Sequence, residues 1–286
     1  MNIRPSLSVH IFRLAAFGCA FLTIAVFWVM LFLGWPLLSS GQFFVLLTQE
    51  WLPSQEIYGI YPMLAGSCAI ALLALCLSLP ISLGTAFIAA TLAPQRLRKV
   101  VMVMVRFMAG IPTVIYGFVA VFILVPFMRE QLTGGSGFNI LTASMVLALL
   151  IAPTMIVFFV NGLANVEKSY CLAVDALGGR PVQKLLYLQL PQAWPTVTAG
   201  IIMGFGRAMG DTLISLMLAG NSIAVPQGVV DSGRTLTAHI ALVIAADFAS
   251  MEFKSIFACG LVLYLFSVIV VILLRHLTSA LVMPPG

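Results

Sequence analysis

Charge is what this sequence has least of. Nine acidic and 14 basic side chains serve 286 residues, so charged residues make up 8% of the chain, where a soluble domain carries about 25%. A water-facing surface cannot be built from so few ions, so lipid has to cover most of the outside. Histidine is also scarce, at three, and the five cysteines (Cys19, Cys68, Cys76, Cys171 and Cys259) form no C-x-x-C pair and no metal-ligand spacing. Most of these cysteines sit in apolar runs, where the thiol acts as a small hydrophobe. Neither a disulfide nor a metal site is expected. No G-x-x-x-x-G-K-[ST] phosphate loop occurs, so any ATP-driven work needs its motor on another polypeptide. The formal charge of +5 is scattered through short loops. It is a topology signal, not a basic patch for nucleic acid.

What the sequence has is apolar length: 62% of residues are hydrophobic. A spanning helix needs ~20 such residues. Six runs qualify, at about 14–38, 61–93, 100–127, 140–160, 196–219 and 256–274. The first lacks an A-x-A cleavage site and exceeds a signal-peptide core, so it reads as an uncleaved span. Pro80 in the second predicts a tilt or kink. With both ends inside, the inner side holds nine cations: Arg4, Arg13, Arg96, Arg98, Lys99, Lys168, Arg180, Lys184 and Arg275. The outer side holds three: Arg129, Arg234 and Lys254. The expected fold class is therefore an all-α integral membrane protein with six transmembrane helices and both termini cytoplasmic. Two outer stretches, Phe43 to Trp51 and Leu236 to Ala245, are apolar but too short to span, and read as interfacial or re-entrant.

Residues 161–195 form the longest inner loop, and it has its own pattern. Ala173, Ala176 and Leu177, with Leu185, Leu186 and Leu188, give short apolar faces. Gly178-Gly179 breaks two helical pieces, and Pro191 and Pro195 are expected to end the second. Such a knob is an obvious docking surface for a cytoplasmic partner.

Two ionic side chains fall inside the fifth run, in Gly206-Arg207-Ala208-Met209-Gly210-Asp211-Thr212. An Arg or Asp at a helix centre costs ~2.5–3.5 kcal/mol on insertion scales. Such costs persist when the charges pair or serve function. Four residues apart, Arg207 and Asp211 share a face of a continuous helix and can pair. Gly200/Gly204 and Gly206/Gly210 would let another helix approach closely. Two roles fit: an oxyanion site on a pathway, with Arg207 offering its planar fork of donors, or an ion pair that tethers helices. Asp211 could orient Arg207, or accept a hydrogen bond from a protonated oxyanion; hydrogen phosphate has such a proton and sulfate does not. Arg106 is either a second pathway cation or a side chain snorkelling to the inner surface. Pro112 either bends the third span or opens it onto a polar cavity. His239 and His276 have no partner legible in the sequence.

Several motifs resemble those of ABC importer permeases. Leu172-Ala173-Val174-Asp175-Ala176-Leu177-Gly178, nine residues, then Leu188-Gln189-Leu190-Pro191 is similar to their E-A-A-x-x-x-G-x(9)-I-x-L-P coupling loop, with Leu172 where the family has Glu. Gly206 to Thr212 followed by Ala219-Gly220-Asn221 resembles the G-R-A-x-G-E-T…G-N segment of phosphate importer permeases of the PstC type, with Asp211 in place of Glu. Ala109-Gly110-Ile111-Pro112-Thr113-Val114-Ile115-Tyr116-Gly117 is similar to their A-G-I-P-S-V-x-Y-G signature, and Ala152-Pro153-Thr154-Met155 and Thr235-Leu236-Thr237 also fit.

The resemblance implies a type I ABC importer permease fold, with residues 1–286 as a single transmembrane permease domain in a bacterial inner membrane. It implies a phosphate pathway through Arg207, Asp211, Thr212, Arg106 and Asn221. Ala173, Asp175, Ala176, Leu177, Gly178, Gly179, Leu190 and Pro191 would couple to an ATPase dimer that binds ATP and Mg. A homologous second permease and a periplasmic or lipid-anchored phosphate-binding protein would complete the importer. The chain itself would carry no cofactor and catalyse no covalent chemistry. A permease for molybdate or sulfate, and a stand-alone secondary anion carrier, remain as alternatives.

Overall fold

The computed structural model describes residues 7–39, 43–133, 135–246, 248 and 250–281. Arg4, counted above among the inner cations, lies outside them. The architecture is all-helical apart from one two-residue hairpin. Helix α1 (Leu7–Ser39) and α2 (Phe43–Thr48) are followed by β1 (Trp51–Leu52), paired antiparallel with β2 (Ile57–Tyr58). Then come α3 (Tyr61–Phe87), α4 (Gln95–Gly110), α5 (Thr113–Met128) and α6 (Ile140–Ala164). The second half holds α7 (Lys168–Ala176), α8 (Pro181–Lys184), α9 (Leu190–Gly210), α10 (Leu213–Leu218), α11 (Leu236–Val243) and α12 (Met251–Leu281).

Among the described residues, five helices are long and apolar enough to cross a membrane: Val9–Trp35, Tyr61–Leu92, Thr113–Gln131, Ile140–Ala164 and Met251–Ile272. Two of the six expected runs are not the continuous helices expected. Residues 100–127 are two helices, because Pro112 has no N–H to continue the ladder and Ile111 is extended at φ −74°, ψ 126°. Residues 196–219 are also two helices, α9 and α10, parted at an extended Asp211. Pro191 and Pro195 do not end the second piece of the knob. A π-helical turn, Leu185–Gln189, runs straight into α9. Pro191 sits at its first turn, where the missing N–H has no intrahelical partner to lose.

Helix α6 is the hub. Of its most apolar stretch 72% is buried, against none for α1, which faces outward. One face of α3 explains the tight fit to α6. Ser67, Ala71, Ala74, Ser78, Ser82 and Ala86 recur at three or four residues and are all buried. Small side chains let backbones approach, so hydroxyls reach across. Ser144 Oγ donates to the Ile70 carbonyl at 3.2 Å and Ser82 Oγ to the Ala152 carbonyl at 3.5 Å. Where α9 packs on α6, Gly200 and Gly204 admit Phe159 and Met155, whose atoms lie 2.8 Å from where a Cβ would stand. Gly206 and Gly210 have no neighbour within 4 Å. The first glycine pair is therefore used inside the chain, and the second lies on an open face of α9 beside exposed Met203.

The two ends of the bundle are built differently. At one end Leu46, Trp51, Ile60, Met63, Leu236 and Cys259 form a second small core under the hairpin. At the other end α7 and α8 form the knob, held to the spans by Thr91 Oγ1, which donates to Gln189 Oε1 at 2.6 Å.

Candidate functional site

The centre of interest is the break between α9 and α10. Arg207 lies one turn before the end of α9 and is half-buried. Its Nη1 donates to Thr154 Oγ1 of α6 at 2.9 Å. The other guanidinium donors have no partner among the described residues. Asp211 does not pair with Arg207, contrary to the four-residue spacing. The helix stops at Gly210, Asp211 turns extended (φ −72°, ψ 127°), and the carboxylate swings to the next helix. Asp211 Oδ2 accepts the Ile214 backbone N–H at 2.8 Å, as a cap does for the orphan donors of a helix start. Oδ1 has no partner. The Asp211 carbonyl, freed by the break, accepts from Thr237 Oγ1 at 2.9 Å and Ser215 Oγ at 3.3 Å. Thr212 is half-buried, and its carbonyl accepts the Leu216 N–H at 2.9 Å as α10 begins.

The break in α4–α5 faces the same region. Tyr116 is anchored by donating its hydroxyl to the Met108 carbonyl at 3.0 Å, across the Pro112 gap. Arg207 is close enough to act electrostatically on both the Tyr116 hydroxyl and the Asp211 carboxylate. Helices α5 and α10 pack together, with Met217 Sδ 2.8 Å from where a Cβ on Gly117 would stand. One locality thus holds a guanidinium with free donors, a carboxylate oxygen with no partner, two hydroxyls, and backbone interrupted in two helices. Broken helices are tolerated at membrane depth where they are buried in protein or line a cavity.

Asn221 belongs to the adjoining outer turn. It adopts φ 57°, its Nδ2 donates to the Leu216 carbonyl at 2.7 Å, and its Oδ1 is buried with no partner. Its carbonyl accepts from Arg234 Nε at 3.0 Å. Arg234 Nη1 in turn stands 3.5 Å from His239 Nδ1, and the His239 ring meets Trp51 edge-on at 4.4 Å. Burial, with Arg234 beside it, pushes the His239 imidazole down to about 4. Arg106 is not brought to Arg207's neighbours. It lines a groove with Arg98 and Lys99 at the knob end.

The knob residues sit together. Asp175 of α7 accepts from Lys184 Nζ of α8 at 2.5 and 2.7 Å, the one ion pair among the described residues. Gly178 turns at φ +76°, and a Cβ on Gly179 would stand 2.5 Å from Val174 Cγ1. Both positions therefore require glycine. Ala173 accepts the Leu177 N–H at 3.1 Å, and Ala176 closes α7. Leu177 is 88% exposed and Tyr187 81%. Leu190 and Pro191 open α9. Thr154, Thr237 and the Tyr116 strap carry roles the sequence did not single out. A signal existed for Thr154, a hydroxyl after Pro153 in an otherwise apolar span.

Residues 82–282 match the profile of the family described as binding-protein-dependent transport system inner membrane component. A probable ABC transporter permease protein, YqgH of Bacillus subtilis, is 31% identical over 80% of this chain and 75% of its own length. The phosphate transport system permease protein PstC of Pasteurella multocida is 29% identical, over 90% and 86%. Among solved structures, a chain of the MetNI methionine ABC transporter in inward-facing conformations superposes with a TM-score of 0.61 at 15% identity, covering 76% of this chain and 93% of that one. At that identity the likeness shows the fold alone.

Proposed function

The chain belongs to the family of binding-protein-dependent transport system inner membrane components, and from that premise we propose that its cargo is inorganic phosphate, passed by alternating access across the α9–α10 break. It is a multi-pass plasma-membrane permease of the ABC importer class. The observation that carries the phosphate reading is Arg207. Its guanidinium is held by a single bond to Thr154, with the rest of its fork unused beside the Asp211 carboxylate. A guanidinium presents parallel donors to phosphoryl oxygens. Asp211 Oδ1 accepts a hydrogen bond from the P–OH of hydrogen phosphate, a contact sulfate cannot make. The names of PstC relatives support the same cargo.

In this reading Thr212 and Asn221 line the same passage. A second, homologous permease covers the open Gly206–Gly210 face of α9, and a phosphate-binding protein delivers cargo from outside. ATP and Mg are bound by a separate ATPase dimer, which grips the knob through exposed Leu177 and the faces of Ala173 and Ala176 around the Gly178-Gly179 turn. Asp175, through Lys184, keeps α7 and α8 as one body, and Leu190 and Pro191 pass its movement to α9.

The test is reconstitution in liposomes with the ATPase, the partner permease and phosphate-loaded binding protein. Uptake is expected only with all components and ATP, and excess sulfate should not compete. Uptake by this chain alone, or equal competition by sulfate, would contradict the reading.

A further inference from the structure

A second concavity lies away from the helix breaks, between the start of α4 and the end of α6. Its volume is about 470 Å³. Gln95, Arg98, Lys99, Met102 and Arg106 face it from α4, and Asn161 from α6. The α4 positions step by three, one, three and four, so they form one stripe of a single helix face. The cationic stripe is unusual here for what it lacks. No carboxylate lines the groove. The side chains of Arg98, Lys99 and Arg106 make no hydrogen bond and no ion pair among the described residues, whereas Lys184 is paired with Asp175. Three like charges on one face repel one another, and no carboxylate among the described residues pairs with them.

The groove opens at the knob end. The π-helical turn Ile88–Leu92 that precedes α4 packs on α8, and Thr91 bonds Gln189. By the distribution of lysine and arginine this is the cytoplasmic side.

We propose that this groove is a binding site for a phosphoryl anion on the cytoplasmic face, distinct from the Arg207 passage. Arg98 and Arg106 supply planar forks and Lys99 a point charge, a set suited to phosphate oxygens. Gln95 and Asn161 add neutral donors, and Met102 gives an apolar floor. The ligand is either free inorganic phosphate inside the cell or the phosphate headgroup of an anionic lipid, both of which basic pockets at this depth can hold. The inference rests on the orientation read above but not on the cargo assigned to Arg207.

The experiment purifies the full chain, with the subunits that accompany it, into nanodiscs of phosphatidylcholine or of phosphatidylcholine with phosphatidylglycerol. Radiolabelled inorganic phosphate is titrated in the first, and retained phosphatidylglycerol is counted by native mass spectrometry in the second. The wild type should bind one or the other. The triple substitution Arg98→Gln, Lys99→Gln, Arg106→Gln should weaken it roughly tenfold or more, since charge-assisted bonds to three cations are lost. If the triple variant is not monodisperse, Arg106→Gln alone should weaken binding roughly threefold. Saturable phosphate binding in phosphatidylcholine identifies the free anion as ligand. Retained phosphatidylglycerol without phosphate binding identifies the headgroup. Arg207→Gln should leave the groove's binding intact even where it stops uptake, so the two sites fail separately. Equal binding by wild type and triple variant, no ligand held by the wild type, or loss of all binding on Arg207→Gln would overturn the proposal.

Discussion

Two helices of this protein are broken, and they are broken by different chemistry. The first stops at Gly110, passes an extended Ile111 (φ −74°, ψ 126°) and restarts after Pro112. The second stops at Gly210, passes an extended Asp211 (φ −72°, ψ 127°) and restarts after Thr212. The backbone path is nearly the same, but what closes each gap differs. At the first, a proline has no N–H to offer and a neutral hydroxyl, that of Tyr116, straps the Met108 carbonyl. At the second, a carboxylate caps the new helix, and hydroxyls of Ser215 and Thr237 satisfy the freed carbonyl. The first break is permanent covalent geometry. The second is held by polar contacts and an ion, with Arg207 one turn away. A break of the second kind can respond to an anion, and the first cannot.

This contrast can be broken experimentally. The largest effect is expected from Asp211→Asn. The amide oxygen still caps Ile214, so the fold survives, but the charge that answers a protonated oxyanion is gone. Loss of one charged hydrogen bond, worth about 1.5–3 kcal/mol, should lower phosphate uptake roughly ten- to hundredfold. Pro112→Ala should change uptake only a few-fold, because Tyr116 still holds the gap, and a larger fall than for Asp211→Asn would reverse the ranking. Thr237→Val removes a hydroxyl from the Asp211 carbonyl and should cost about 1 kcal/mol of stability in a detergent melt, with no counterpart at the first break. A separate effect, confined to acid pH, lies in the outer turn beside the second break. The His239 imidazole is neutral in the folded protein down to about pH 4, whereas an unfolded histidine takes up its proton near 6.5. Stability is therefore fully present above about pH 6.5 and falls with a slope of at most about 1.4 kcal/mol per unit as pH drops toward 4. His239→Gln should flatten that slope. An unchanged slope would remove the histidine from the account.

The sequence showed the first break better than the second. Pro112 is visible in any reading, and so is the apolar length that flanks it. Asp211 was read as the partner of Arg207 because a four-residue spacing pairs charges only while the helix continues. What decides otherwise is the Thr237 hydroxyl, 26 residues away, together with the Ile214 N–H that needs a cap. Neither is a local property. The glycines divide in the same manner: spacing marked both pairs, but only packing shows that Gly200 and Gly204 meet α6 while Gly206 and Gly210 meet nothing. The knob was legible because Gly178 and Gly179 act locally. The run of α9 through Pro191 and Pro195 was not: Pro191 falls in the first turn, where a proline ends nothing, and Pro195 lies inside the helix, which continues past it. Arg106 was legible only as either a pathway cation or a snorkelling side chain, and the structure sets it in a groove with Arg98 and Lys99.

The most direct measurement is ATP-driven uptake of radiolabelled phosphate into proteoliposomes by the assembled importer carrying Arg207→Lys, with the wild type and Arg207→Ala beside it. The lysine keeps the positive charge and can still reach Thr154, but it lacks the fork. Uptake should fall roughly tenfold or more for lysine and further for alanine, while assembly and stability stay near wild type. Wild-type uptake by Arg207→Ala would contradict the account.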